Sequence, residues 1–194
     1  MKKFLLMILS VSVLFSGCQT VTTDMVAVDS ITDIGDSWND TDSRLVADEM
    51  IDDVLKGGWL KHYYRKNGDK NPTVIVGRVK DRTMEDLNSE IFIHNLQIAL
   101  VNSGMVDFVA NASERIEVRG EREGQASYAS EETANFDGEE IGADYMLKGE
   151  VNRLVNRDGK KAVKFYQVNL TLINVETNKK VWIGEKKIKK LISS

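Results

Sequence analysis

The last fifty residues alternate apolar and polar side chains, and this pattern constrains the fold more than any other feature of the chain. In YMLKGEVNRLV, residues 145–155, the odd positions are mostly apolar, and in VKFYQVNLTLINV, residues 163–175, the even positions are. A strand with one buried face has this period of two. Turn residues Asp158-Gly159 and Asn178 separate these segments from each other and from VWIGEKKIKKL, residues 181–191. The pattern predicts three antiparallel strands in meander order.

The preceding half of the folded region favours helices that alternate with short strands. From Trp38 to Leu60 apolar residues recur at three- and four-residue spacing, which predicts an amphipathic helix that Gly57-Gly58 ends. The residues expected to cap its start are Asp40, Thr41 or Asp42. The later segments are predicted as a strand over Thr73–Val79, a helix over Glu85–Asn102 and a short strand over Met105–Ala110.

A polar segment between residues 113 and 144 has the weakest pattern. It contains two short helical signals, residues 113–122 and 130–141, which Gly120 and Gly124 separate. Its low apolar content predicts that part of it is mobile. The whole pattern predicts a mixed α/β fold, with a mainly antiparallel sheet and helices packed on one face.

The start of the chain is typical of an export signal. Lys2 and Lys3 precede an apolar run of 12 residues, Phe4–Phe15, and the small residues Ser16-Gly17 follow. The run is too short to span a bilayer as a helix, which takes roughly 20 apolar residues. Residues 1–17 are therefore predicted to be a signal peptide.

The only cysteine, Cys18, directly follows this signal. The ending FSGC resembles the lipobox of bacterial lipoproteins, which implies cleavage before Cys18 and lipidation of its thiol; the alternative is a secreted protein with an unmodified Cys. Gln19 stands where Asp would favour the inner membrane, so the resemblance implies an outer-membrane anchor facing the periplasm. We expect a lipidated flexible tether over residues 18–37 and one globular α/β domain over residues 38–194.

Composition argues against nucleic acid as a partner. Removing residues 1–17, which contain Lys2 and Lys3, changes the net charge of the chain from −4 to −6. A net acidic protein has no general attraction to phosphate backbones. A single Cys also excludes an internal disulfide bond.

The sequence contains no recognisable catalytic or metal-binding motif. His62 and His94 have no carboxylate or Cys at ligand spacing. Adjacent acidic pairs such as Asp52-Asp53 point in different directions on a helix, and are expected to be solvated. We therefore expect no enzyme activity, no metal and no cofactor.

Two surfaces are candidates for protein contacts. If Leu147 and Leu170 face the core, polar side chains of the same strands face outward: Lys148, Glu150, Asn152, Gln167, Asn169 and Thr171. Few of them are charged, so this face is either solvated sheet or a docking surface. The terminal Lys186, Lys187, Lys189 and Lys190 are best explained as protection of an edge strand, with contact to an acidic protein as the alternative.

Several segments resemble the LpoB family of outer-membrane lipoproteins that activate penicillin-binding proteins. They are WNDTDSRLVADEMIDDVLKGGWL, PTVIVGRVKDRT, GADYMLKGEV and YQVNLTLINVETNKKVWIGEKKIKK, and together they extend roughly from Ser37 to Lys190. The resemblance implies an α/β domain similar to the amino-terminal domain of TolB. It also implies a non-catalytic, monomeric regulator that binds a class A penicillin-binding protein, a bifunctional peptidoglycan synthase.

Within that resemblance, Lys148, Gln167 and Asn169 are the residues we expect to contact the synthase. The tether departs from the family, whose best-known members have a long, proline-rich one. GADYMLKGEV, residues 142–151, also resembles segments of CsgG-like and TolB-like envelope proteins. The alternative is thus a self-associating component of an envelope assembly or export system.

Overall fold

A computed structural model describes residues 25–27, 30, 35–85, 87–130, 132–133 and 140–193. The chain divides into two units, residues 1–31 and 32–194. In the first unit, the Ser30 backbone N–H donates a hydrogen bond to the Ala27 carbonyl at 3.0 Å. The predicted signal peptide, Cys18 and most of the predicted tether lie outside the described residues.

The second unit contains four helices and five strands among its described residues. The helices are α1 Asp40–Lys56, α2 Gly58–Asn67, α3 Ser89–Asn102 and α4 Ala112–Tyr128. The strands are β1 Thr73–Arg82, β2 Asp107–Phe108, β3 Tyr145–Asp158, β4 Lys161–Asn174 and β5 Lys180–Ser193.

The strands form one sheet in the order β2-β1-β3-β4-β5. Strand β1 runs parallel to β2 and β3, whereas β3, β4 and β5 pair antiparallel. A two-residue loop, Gly159-Lys160, joins β3 to β4, and Asn178 adopts a positive φ of 58° in the next turn. The predicted meander and the mixed, mainly antiparallel α/β fold are confirmed.

The core lies between one face of this sheet and helices α1 and α3. Its side chains alternate along β3 and β4 as the sequence predicts, with Leu147, Val151 and Leu170 at most 1% exposed. The helices bury Val46, Val54, Phe92 and Leu96 in the same cluster. Burial of apolar area is the main stabilising contribution to folding. The opposite face of β3–β5 takes no part in this core and is available for contact with a partner.

The N-cap of helix α1 lies one residue before the first of the predicted caps. Asn39 is the N-cap: its side chain accepts from the Asp42 N–H at 3.0 Å, while the Asp42 carboxylate accepts from the Asn39 N–H at 3.1 Å. The prediction of Asp40, Thr41 or Asp42 as the cap was therefore wrong. Asp42 acts instead as the second half of a reciprocal capping box.

Helix α2 has no counterpart among the predicted elements. Gly57 ends α1, but the chain becomes helical again at Gly58 because Trp59 and Leu60 are buried against the sheet. The Trp59 ring packs edge-on against Tyr145 with 4.9 Å between centroids. Its indole N–H donates to the Val54 carbonyl at 2.7 Å. Tertiary contacts thus override the helix-breaking tendency of the glycine pair.

Helix α4 includes the first of the two short helices predicted in this segment, residues 113–122, and extends to Tyr128, whereas the second, residues 130–141, lies largely outside the described residues. It continues through Gly120 and Gly124, and none of its residues is buried. Asn111 and Glu114 form a capping box at its start. Arg119 donates to both carboxylate oxygens of Glu140, at 2.7 and 2.8 Å.

A buried ionic cluster holds the beginning of the folded unit. The Glu85 carboxylate accepts from Lys164 Nζ at 2.7 Å, from Arg153 Nη1 at 2.5 Å and from the Tyr166 hydroxyl at 2.6 Å. Lys164 also pairs with Asp36 at 3.1 Å. Glu85, predicted as the first residue of α3, instead lies in the loop before Ser89.

A second buried lysine secures the same segment. Lys190 Nζ donates to the Ser37 carbonyl at 2.8 Å and pairs with the Asp42 carboxylate at 2.7 Å. Trp38 packs edge-on against Phe92 and Tyr166, with centroids 6.1 and 5.6 Å apart. The chain is therefore attached to the sheet from Asp36 onward.

Candidate partner-binding surface

The three predicted contact residues lie on one face of β3 and β4, opposite the core. In the register of the two strands, Lys148 faces Thr171, Glu150 faces Asn169, and Asn152 faces Gln167. The intervening side chains face the helices, as the burial of Leu147 and Val168 shows. We call this side of β3, β4 and β5 the outward face.

Hydrogen bonds fix the polar side chains at the centre of the outward face. The Gln167 amide donates to Asn169 Oδ1 at 3.1 Å and to the Glu185 carboxylate of β5 at 2.7 Å. Asn152 donates to Glu150 at 3.2 Å. Ordered amides of this kind present both donors and acceptors to a partner at low entropic cost.

Next to Lys148, Gly149 allows β3 and β4 to approach closely. A Cβ atom at residue 149 would lie 2.1 Å from the Asn169 carbonyl oxygen and 2.6 Å from the Leu170 side chain. Only glycine therefore permits β3 and β4 to approach this closely. The Lys148 side chain is exposed and makes no hydrogen bond or ion pair with the side chain of any other described residue.

Glu150 is held as a carboxylate. The hydrogen bond from Asn152 lowers its pKa below the usual value, and the positive charges of Arg82 and Lys80 add to this effect. Arg82 Nε lies 2.8 Å from the carboxylate. Neighbouring strand β1 thus contributes cations to the outward face.

The outward face is more charged than the sequence analysis expected. Strands β1 and β5, and the first residue of β4, add cations beside the polar centre. Its cations are Lys80, Arg82, Lys148, Lys161, Lys187 and Lys189, and its carboxylates are Glu150, Asp158 and Glu185. Cations therefore outnumber carboxylates on this face, although the whole chain carries a net charge of −4.

The terminal lysines divide between the two sides of the edge strand β5. Lys186 pairs with Glu49 of α1, and Lys190 is 8% exposed beneath the first turn. Lys187 and Lys189 lie on the outward face, where Lys187 pairs with Glu185 at 2.5 Å. Side chains alternate between the two faces of a strand, which explains the division. Protection of the sheet edge is therefore a better explanation for Lys187 and Lys189 than for Lys186 and Lys190.

The histidines and carboxylates outside this surface are not grouped into a site among the described residues. His62 on α2 and His94 on α3 are exposed. Among the residues that the structure describes, no three His, Cys, Asp or Glu side chains are grouped to hold a metal ion. Within the same residues, no helix combines the length and the apolar character needed to cross a membrane.

Comparison with known protein families gives a match over most of the chain. The family model described as "Peptidoglycan-synthase activator LpoB" matches residues 42–188. No curated protein sequence matches the chain significantly.

Solved structures to which the chain is similar include two LpoB C-terminal domains. The domain from Salmonella enterica has 17% sequence identity and a TM-score of 0.44; the match covers 77% of this chain and 99% of that one. The domain from Escherichia coli has the same identity and coverage, with a TM-score of 0.45. A PelC dodecamer from Paraburkholderia phytofirmans has 16% identity and a TM-score of 0.38, covering 62% of this chain and 73% of that one.

Proposed function

The chain belongs to the LpoB family of peptidoglycan-synthase activators, and we propose that it binds and activates a class A penicillin-binding protein without catalysing a reaction itself. The observation that carries this proposal is the family match over residues 42–188, which includes β1, β3, β4 and most of β5. The partner acts in the periplasm. Nucleic acid is not part of this function.

We place the protein at the outer membrane, anchored through lipid on Cys18 and facing the periplasm. The small-residue pair before Cys18 supports lipidation at that position. Stable anchoring takes more than one acyl chain, because a single chain gives only marginal membrane affinity. Of the proposed tether over residues 18–37, the part before Asp36 then sets how far the domain reaches, because Asp36 and Ser37 contact the sheet.

Lys148, Gln167 and Asn169 are the proposed contact residues on the synthase-binding surface. Two of them belong to the hydrogen-bonded centre of the outward face, and Lys148 adds an unpaired charge among the described residues beside it. A surface with ordered amides and a polar rim suits a reversible protein contact.

Activation requires that the domain binds the active arrangement of the synthase more tightly than the resting one. A ligand shifts a conformational equilibrium only by the difference between its affinities for the two states. The domain therefore acts on an accessory region of the synthase, and the synthase keeps all of its catalytic groups.

A binding and activity assay with the full-length chain tests this function. The purified lipoprotein is mixed in detergent with each class A synthase of the same cell, and retention on beads and glycan polymerisation are both measured. We expect Lys148→Glu combined with Asn169→Lys to abolish retention and stimulation. The matched control is Lys61→Glu on α2, an exposed lysine that lies away from the outward face.

The outcomes test the proposed function and the proposed contact residues independently. If no class A synthase is retained by the wild-type chain, the proposed function is wrong. If the wild-type chain is active and the double variant is equally active, the function stands and Lys148 and Asn169 are not contact residues.

A further inference from the structure

The outward face carries an apolar cluster at the end distant from Lys148. Two cross-strand rows build it: Leu154 of β3 faces Phe165 of β4, and Val163 of β4 faces Leu191 of β5. Opposed side chains on one face lie about 5 Å apart, and residues two apart on a strand are the next neighbours, so the four are contiguous. Leu154 is 58% exposed and Leu191 is 73% exposed, so the described chain leaves this cluster uncovered.

Basic side chains surround the apolar cluster. Lys189 shares the row of Leu154 and Phe165, Lys187 lies in the next row, and Lys161 opens β4 beside Val163. An apolar centre inside a polar, solvent-accessible rim is the usual arrangement of a protein contact surface. The excess of cations on this face favours a partner surface that carries carboxylates.

We propose that the apolar cluster is a second contact area for the synthase, and that it takes an acidic segment carrying at least one large apolar side chain. The apolar side chain packs on Leu154 and Phe165, and the carboxylates of the segment pair with Lys187 and Lys189. This inference rests on the proposed function and extends the contact beyond Lys148, Gln167 and Asn169.

The charges on this face favour a protein over the two other occupants. The carboxylates Glu150, Asp158 and Glu185 stand among the cations and would be repelled by an anionic lipid surface. A second copy would bring two faces of the same positive sign together in a symmetric dimer. An acidic protein segment is attracted by the excess of cations on this face and, unlike an extended lipid surface, it can place each of its carboxylates beside a lysine.

Exposed apolar side chains allow a test with little risk to folding. Leu154→Ser and Leu191→Ser remove the cluster, Lys189→Glu reverses a neighbouring charge, and Ile116→Ser is the matched control because Ile116 is 66% exposed on α4. Affinity of each full-length variant for the purified class A synthase is measured in detergent. We expect Leu154→Ser with Leu191→Ser to weaken binding at least tenfold, and Ile116→Ser to leave it unchanged.

Salt dependence tests the electrostatic part of the contact. Raising ionic strength from about 50 to about 300 mM should weaken wild-type binding several-fold, and should weaken binding of Lys189→Glu by a smaller factor, because one charge pair is already lost. Thermal unfolding of each variant is recorded to show that the fold is retained.

Three results would overturn the inference while leaving the proposed function intact. The first is wild-type affinity for the synthase in the folded Leu154→Ser, Leu191→Ser double variant. The second is equal weakening by the Ile116→Ser control. The third is that the cluster variants keep wild-type affinity for the synthase yet lose binding to vesicles of phosphatidylglycerol, or lose self-association. Absence of any synthase binding by the wild-type chain would instead contradict the proposed function.

Discussion

Glu85 shows how a single side chain holds the beginning of the folded unit. Burial by itself raises the pKa of its carboxyl group, but hydrogen bonds from Lys164, Tyr166 and Arg153 outweigh this effect and lower the pKa to about 2. Burial lowers the pKa of Lys164, but hydrogen bonds to Glu85 and Asp36 outweigh this effect and raise it. The cluster is therefore charged at neutral pH and joins the loop after β1 to strands β3 and β4.

The lowered pKa of Glu85 predicts acid sensitivity. A carboxyl group with a depressed pKa stabilises the fold above its unfolded value of 4.5, and this contribution is lost as the pH falls from there toward 2. We expect Glu85→Gln to lower the free energy of unfolding at pH 7 by about 3–5 kcal/mol, because Lys164 and Arg153 lose their partner, and to reduce the dependence of this free energy on pH below 4.5. Urea unfolding at several pH values measures both effects.

An exposed carboxylate provides the control for this prediction. Glu176 lies in the turn between β4 and β5, so Glu176→Gln should unfold at the wild-type urea concentration at every pH. An unchanged midpoint for Glu85→Gln would show that the buried cluster contributes no stability.

Gly149 predicts a steric effect at the centre of the sheet. The added methyl group of Gly149→Ala has no room beside the Asn169 carbonyl, so β3 and β4 must separate locally. We expect a loss of about 1–3 kcal/mol in unfolding free energy, the usual cost of overpacking. Gly142→Ala is the matched control, because a Cβ there meets nothing within 4 Å. Equal stability of the two variants would contradict this explanation.

At the scale of elements, α4 differs from the helices of the core. Helices α1 and α3 bury an apolar side in the main cluster, whereas α4 buries no residue. Its described ion pairs converge on Glu140, from Arg115, Arg119 and Arg122. Exposed ion pairs contribute little, so α4 depends on its cap and on local propensity.

Hydrogen exchange should therefore separate α4 from the sheet. We expect the amides of residues 116–128 to exchange much faster than those of β4, because local opening of α4 exposes no core surface. Arg119→Ala should increase exchange in α4 and leave the unfolding temperature unchanged within about 1 °C.

A core helix supplies the comparison. Leu96 of α3 is fully buried, so Leu96→Ala should cost about 2–5 kcal/mol of global stability. If Arg119→Ala lowered the unfolding temperature as Leu96→Ala does, α4 would be part of the cooperative core.

At the scale of the whole molecule, the charge distribution bears on oligomeric state. The outward face is positive, and the lysines Lys187 and Lys189 lie along the edge strand β5. Both features oppose pairing of identical copies, through repulsion between faces and through charges at a sheet edge. We predict that the protein is a monomer.

Sedimentation velocity of the mature chain in detergent tests the prediction that the protein is a monomer. The protein mass per complex should stay that of one chain over about a hundredfold range of concentration, because no self-complementary surface is expected. A concentration-dependent rise in mass would favour the alternative of a self-associating envelope component.

The sequence by itself determined the elements whose periodicity is strong and local. The alternation of Leu147 and Val151 in β3, and of Val168 and Leu170 in β4, was sufficient to predict the meander and the side of the sheet that is buried. The family was also apparent from sequence segments, and the match over residues 42–188 confirms it. The expected contact residues Lys148, Gln167 and Asn169, with the lipidation of Cys18, stay predictions.

Tertiary structure decided what depends on residues distant in the chain. Helix α2 forms because Trp59 packs on Tyr145, and Glu85 is a cluster centre because β3 and β4 bring Arg153, Lys164 and Tyr166 to it. The order of the strands places Arg82 and Lys189 on the same face as the polar centre. Hydrophobic periodicity and secondary-structure propensity depend on residues close in sequence, whereas packing and charge contacts join residues distant in sequence. The basic outward face is therefore apparent only in the folded sheet.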